Sequence, residues 1–319
     1  MAETITEPAV RVPRSAKVFS YSVAHPPAVT VAPGETFVVE TTSAFGEFDL
    51  STGDDLSGLD IDRCDPLTGP IAIEGALPGD VLEVHIVDIQ VEGLGAQGVI
   101  PGIGILDWPR LPLEFHPVQD GEIVFPGGLR IPVRPNLGCL GVAPQGEAVP
   151  SVLPGDHGGN IDTRFVCAGS VVEFPVFHPG ALLFMGDCHQ LQGDGELCGV
   201  APETDAVVTL QCTVRKHGRS IPRPKIRTAD RLMFIGSAET LEAAGALATA
   251  DLVAALVAEK GMSEDLAYLL VTVKADLEVC QVVNGLRTAR VGIDRKFYEE
   301  LPEAPPPPAS SRSAREPIN

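Results

Sequence analysis

The alternation in Val81–Val91, VLEVHIVDIQV, constrains this chain more than any other stretch in it. Leu82, Val84 and Ile86 fall on one side, and Glu83 and His85 on the other. Only a strand with one buried face places side chains at a period of two. The pattern returns in Ala206–Arg215, AVVTLQCTVR, and more briefly at Ile71 and Ile73. Val29–Thr42 reads as strand, Pro-Gly turn, strand, and Val118–Arg134 as two short strands around Pro126-Gly127-Gly128. Gly 33 and Pro 29 together make almost a fifth of the 319 residues. Punctuation that dense favours short strands and turns over helices. Val171–Phe177 and Ala181–Met185 form a hairpin candidate about His178-Pro179-Gly180, while the apolar Leu137–Ala143 is expected to be buried.

The character changes after Gly236. Ser237–Lys260 is rich in alanine and leucine, with Leu241, Ala244, Leu252 and Leu256 at helical spacing and Gly261 as its stop. Ser263 caps a second helix to Ala275, with Glu264 and Asp265 in its first turn. Val279–Val283 reads as a short strand. The expected fold is therefore mostly β, with sandwich- or barrel-like sheets, and a smaller α+β part carrying two helices near the C-terminus. Residues 1–15 form a flexible N-terminus in this reading. Residues 16–236 are the mainly β region, 237–295 a helical segment packing on it, and 296–319 a disordered Pro-rich tail.

A formal net charge of −20 argues against nucleic acid as a partner, because a phosphate backbone needs basic clusters. No apolar run reaches the eighteen or so residues of a membrane span, and MAETITEP is no signal sequence. Seven scattered cysteines with no CxxC pair fit reduced thiols, and a cytoplasmic location is the expectation. The glycine-rich Gly93–Gly104 superficially resembles a nucleotide loop, but no GxGxxG opens a helix there.

Two polar knots remain. Met185–Glu196, MGDCHQLQGDGE, packs Asp187, His189, Asp194 and Glu196 among Gly186, Gly193 and Gly195. If Phe184–His189 stays extended, Asp187 and His189 share a face, where they can hold a divalent metal or share a proton. The plain alternative is a solvated loop tip. Pro154–Asp162, PGDHGGNID, gathers Asp156, His157, Asn160 and Asp162 around Gly158-Gly159, and its plain alternative is an Asx-rich turn.

Thr68–Val84 (TGPIAIEGALPGDVLEV), LGVAP at Leu140–Pro144, HGGNID at His157–Asp162 and GDCHQLQGDGELCG at Gly186–Gly199 resemble the acetamidase/formamidase family of amide hydrolases. The segment LAYLLVTVKADLEVCQVVNG fits as well, so the resemblance runs in order over about residues 20–295. It implies hydrolysis of short aliphatic amides to ammonia and a carboxylate, a mostly β fold with a helical addition, homo-oligomers, and a divalent metal in some members. One departure is at Ser43–Asp49, where many members have an Asp and a later Gly-Gln pair, so substrate choice is open to drift toward another linear or cyclic amide. The acidic loop Glu47–Asp65 is also unusual.

An amide is a weak electrophile with a poor leaving group. Under this resemblance Asp187 and His189, with Asp162 or His157, are the metal-ligand candidates. Such a metal lowers the pKa of bound water toward ~7 and polarises the carbonyl. Zn²⁺ is favoured and Ca²⁺ is admitted by the oxygen donors. Glu196 is the candidate general acid/base, joined by Asp187 and His189 in the catalytic set. Asn160, Gln192 and His157 are candidates for holding the substrate. Cys188 as a nucleophile faces away from both neighbours in a strand, and no GxSxG elbow exists for a serine route. A non-catalytic scaffold that binds metal or a small ligand uses the same residue types.

Overall fold

The computed structural model describes residues 8–46, 48, 60–109, 111–216 and 220–302. The expectations for residues 1–7, for most of the acidic loop (47 and 49–59) and for the tail from 303 onward lie outside the described residues.

The expected β architecture is what the chain adopts, as one large curled sheet with a separate short pair, Ser20–Tyr21 and Val149–Pro150, beside it. Val81–Val99 and Glu203–Arg215 form its spine, pairing antiparallel along most of their length. The alternation read from sequence decides which side faces in. Leu82, Val84, Ile86, Ala206, Val208, Leu210 and Cys212 are all buried in the main core, while Glu83 and His85 face Thr213 on the other side. Beyond Val81–Val99 the sheet continues through Val171–Pro175, Lys225–Arg227, Arg231–Ala238, Arg287–Asp294 and Ala275–Gln281. On the other side of the spine, Thr36–Thr41 pairs with Glu203–Arg215. The start of that same strand also pairs with Leu183–His189, next to which lie Asn136–Val142 and Leu67–Ile73.

Three local readings are corrected. The glycine-rich stretch after Gly93 carries the strand on to Val99, where it pairs with Leu111–Gln119. Val171–Pro175 and Leu183–His189 do not form a hairpin, because Ala181 and Leu182 both take left-handed φ angles (56° and 60°). Those two residues turn the chain away, and each strand finds other partners. The strand read at Val279–Val283 begins at Ala275, directly after the second helix.

Helix α1 (Leu241–Lys260) is capped by the Thr240 side chain and stops at left-handed Gly261. Its Ala244, Ala248, Leu252 and Leu256 are buried, the last three in a second core shared with Leu232, Phe234, Val291 and Ile293 of the sheet. By length and composition alone α1 could cross a bilayer (mean hydropathy 1.7), contrary to the expectation that no apolar run is long enough. Here its buried side packs on the sheet, and Asp251 is clamped by Arg223 at 2.8 and 2.6 Å. Helix α2 (Glu264–Lys274) is capped by Ser263, as its sequence suggests. Arg295–Glu300, which straddles the expected boundary between the helical segment ending at 295 and the tail from 296, forms a short helix α3 capped by Asp294, with Tyr298 buried.

Candidate active site

The two polar knots meet. Strand Leu183–His189 runs antiparallel to Asn136–Val142, and Gly158–Asn160 pairs with the opposite edge of that same strand. Asn160, Asp162, Asp187 and Glu196 thus line one cavity of about 240 Å³, together with Asp65 and Glu203. The extended geometry assumed from sequence does not hold at Asp187, whose φ is 54°. Asp65, Asp162 and Glu196 are also left-handed, at 50°, 42° and 45°. Four non-glycine residues in a sparsely populated region, all on one cavity, are held there by the surrounding sheet, and such strain gathers at functional sites.

His189 is the hub. Its Nε2 lies 3.3 Å from Asp187 Oδ1, 3.4 Å from Glu203 Oε2 and 3.9 Å from Glu196 Oε1. Its Nδ1 lies 3.3 Å from the Asn136 amide, which also bonds Gln192 at 2.8 Å. Ligand atoms of Asp162, His189 and Glu196 converge within 4.8 Å of one another, as do those of Asp187, His189 and Glu203 and those of Asp65, Cys139 and Asp187. Gly138 leaves the room for this. A Cβ there would run into Asp187 Oδ2 and Asp162 Oδ1 and come within 2.9 Å of His189 Cε1.

Five buried carboxyls face one imidazole, and burial disfavours so many like charges together. Burial and the neighbouring acids push Asp65, Glu196 and Glu203 well above the usual carboxylate range, and Asp162 up to about 7. Burial also opposes ionisation of Asp187, but the charge and hydrogen bond of His189 outweigh it and hold that carboxyl low. For His189, burial is outweighed by Glu203 and Asp187, which push its pKa well up. The cluster therefore binds protons avidly, or a cation in their place. Asp162 Oδ1 and Glu203 Oε2 are buried with no hydrogen-bond partner. With carboxylate oxygens, one imidazole and a cradle free of Cβ, the donor set fits a divalent metal.

The remaining candidates are engaged in other contacts. Asn160 lines the cavity, but its Nδ2 is committed to Asp65 Oδ2 at 3.1 Å. Gln192 stands behind His189, bonded to Asn136. His157 packs edge-on against Tyr21, ring centroids 4.7 Å apart, and is not among the side chains whose ligand atoms converge. Burial lowers its pKa to about 4, so it is neutral. Cys188 is fully buried, and burial pushes its thiol far up, which suits a core residue better than a nucleophile. Sequence reasoning gave no site role to Asp65, Asn136, Glu203 or Asn284. Asn284 bonds Asp162 Oδ2 at 2.5 Å from the turn after strand Ala275–Gln281. Asp65 belongs to the acidic loop and Asn284 to the segment ending in QVVNG, both singled out in the sequence but given no site role; Asn136 and Glu203 carry no local signal.

The sequence pattern that defines the Acetamidase/Formamidase family matches residues 21–147 and 142–285. The chain belongs to this family. It is 29% identical over 264 residues to an acetamidase of Mycolicibacterium smegmatis, covering 60% of this chain and 64% of that protein. Against a formamidase of Methylophilus methylotrophus it is 29% identical over 261 residues, covering 60% and 63%. The chain thus spans under two thirds of the length of these curated relatives. The crystal structure of an acetamidase from Bacillus halodurans superposes with a TM-score of 0.87 at 35% identity, covering 92% of this chain and 99% of that one.

The family string QGDGE acquires a division of labour here. Asp194 does not face the cavity. It pairs with fully buried Arg290 at 3.0 and 2.6 Å and with Arg164 at 3.1 Å. Gly195 bonds Cys280 O and accepts from Val282 N. The segment is thus docked on strand Ala275–Gln281, and Glu196 is left projecting into the acid cluster.

Proposed function

We propose that this protein hydrolyses the C–N bond of a carboxamide, adding water to give ammonia and a carboxylate. The observation that carries the reading is the convergence of both polar knots on one acid-floored cavity in a chain of this family. His189 is shared by two converging sets, one with Asp187 and Glu203 and one with Asp162 and Glu196, and Asp187, His189 and Asp162, which crowd Gly138 together, are the residues that would hold a divalent ion. Such an ion supplies a Lewis acid for the carbonyl and lowers the pKa of water toward ~7. Zn²⁺ suits the imidazole, with Ca²⁺ as the alternative. The same reading takes the protein to be a homo-oligomer, through the family resemblance, and cytoplasmic, from its scattered cysteines and polar N-terminal residues.

The chain's own groups divide the rest. Glu196, whose carboxyl burial and the neighbouring acids push well above the usual range, is placed to take a proton from the attacking water and pass it to the leaving nitrogen. Asn284 and Asn160 hold Asp162 and Asp65 in place. With His189 Nε2 turned to a cation, its proton rests on Nδ1 and Asn136 must present Oδ1 to it. Turning the Asn136 and Gln192 amides together keeps their mutual hydrogen bond.

Ammonia release from formamide, acetamide and propionamide tests the reading. Turnover is expected to vanish in Glu196→Gln and Asp187→Ala, and to return to chelated wild type on adding metal. Full activity after verified metal removal rejects the metal role. No turnover of any amide by metal-loaded protein rejects the hydrolase.

A further inference from the structure

Helix α1 is apolar all round rather than along one stripe, yet only 28% of its most apolar eighteen residues is buried in the protein. A helix of that kind is built to be covered on every side. Its inner side packs on the sheet. Its outer side, at Ala246, Ala250 and Val253, opens together with Tyr268 of α2 onto a groove of about 590 Å³. Beside the groove, Leu266, Leu269 and Val273 recur along α2 at intervals of three and four residues, and Leu277 follows on the next strand. These four and Tyr268 are each more than half exposed. Their spacing draws one stripe along the helix, as in a helix–helix seam. The strand that α2 runs into, Ala275–Gln281, is also open on one side: its strand partner among the described residues is Arg287–Asp294 alone. An open edge is a template for another strand.

A second copy of this chain fits the face better than a lipid surface does. The net charge is −20 and Glu264 and Asp265 line the groove, whereas a headgroup layer favours Lys and Arg. The helix is instead self-complementary, with Glu264 and Asp265 in its first turn and Lys274 in its last. Two copies of α2 laid antiparallel about a two-fold axis near Leu269 bring each pair of acids beside the partner's Lys274. At about 200 Å² for a free side chain of this size, the open parts of the five exposed residues come to roughly 600 Å². The alanine and valine side chains of the groove add to that, and a standard interface takes about 800 Å² from each partner.

We propose that α2, the outer side of α1 and the open edge at Ala275–Val279 form the face on which two copies of this chain associate about a two-fold axis. This rests on the homo-oligomer reading above, for which it names the surface, and is independent of amide hydrolysis.

The test is the sedimentation mass of the full chain at micromolar concentration. The wild type is expected as a dimer or an even multiple of it. Leu269→Glu and Val273→Glu are expected at half that mass, with an unchanged far-ultraviolet circular dichroism spectrum, because both side chains are exposed in the single chain. Lys274→Glu is expected to raise the dissociation constant at least about tenfold, and adding Glu264→Lys to bring it back within about threefold of wild type. Leu106→Glu, an exposed apolar position that lines a different cavity, is expected to keep the wild-type mass. A mass unchanged in both Leu269→Glu and Val273→Glu overturns this inference and leaves the homo-oligomer reading standing. So does a mass halved in Leu106→Glu alone. Flotation of wild type but not of Leu269→Glu with phosphatidylcholine vesicles overturns it in favour of a lipid surface. A monomeric wild type overturns the homo-oligomer reading as well, while ammonia release reads the hydrolase separately.

Discussion

Replacing Gly138 by alanine adds one methyl group where the site can least accept it. Gly138 does not have a positive φ, so alanine meets no backbone penalty there. The whole effect falls on the cradle. The new Cβ overlaps Asp187 Oδ2 and Asp162 Oδ1 and stands 2.9 Å from His189 Cε1. All three side chains are at least 95% buried, so they cannot swing into solvent. Forcing them apart costs about 1–3 kcal/mol of stability, the usual range for overpacking. The functional cost is larger, because both carboxylates must retreat by roughly 1 Å from where they converge. A misplacement of that size costs about a hundredfold in rate, or about 2.7 kcal/mol of barrier. Amide-dependent ammonia release and bound metal per chain are the assays. We expect kcat/KM to fall at least about a hundredfold, with metal content well below wild type. The control is Gly193→Ala, whose Cβ meets nothing within 4 Å and whose φ is not positive. It should stay within about threefold of wild type, as surface changes do. A Gly138→Ala protein with wild-type turnover and metal content refutes the reasoning.

Asp194→Ala strips fully buried Arg290 of its best partner; we expect a loss of about 3 kcal/mol in urea unfolding, and an unchanged midpoint contradicts the docking role. His157, at 6.5 unfolded and about 4 folded, stabilises the fold above pH 6.5 and loses that contribution as pH falls toward 4. The difference in unfolding free energy between wild type and His157→Phe should therefore shrink by up to about 3 kcal/mol across that window, and a constant difference opposes the assignment. Asp162, raised to about 7, and His189, also raised, act in the opposite sense: their contribution is present at low pH and lost as pH rises through the folded values. Metal-free protein should melt lower at pH 8 than at pH 5, and a divalent cation should restore it; a flat or rising profile tells against the cluster.

Much of this was legible because strand periodicity and glycine-framed polar knots are local signals. Val81–Val91 and Ala206–Arg215 bury the residues their alternation selects. Capping at Ser263 and the stop at Gly261 follow from local chemistry alone. What could not be read depended on distant pairing or on backbone conformation. The expected hairpin failed at Ala181 and Leu182, residues with no intrinsic preference for left-handed φ. Asp187 and His189 do meet, but through a left-handed turn at Asp187 rather than a regular pleat. Glu203 and Asn284 reach the cavity from the start of a long strand and from a turn near the C-terminus; Glu203 stands in no motif, and Asn284 closes a segment whose resemblance says nothing of where its side chains point. Asn160, which looked like a free hydrogen-bond donor, is occupied by Asp65.

The most direct measurement is an anomalous-difference map from crystals of protein that releases ammonia from an amide, recorded at the absorption edge of the metal found in it. The account predicts a peak among Asp162, Asp187 and His189, beside Glu203. Active crystals with no peak in that cavity, or with the metal bound elsewhere, contradict it.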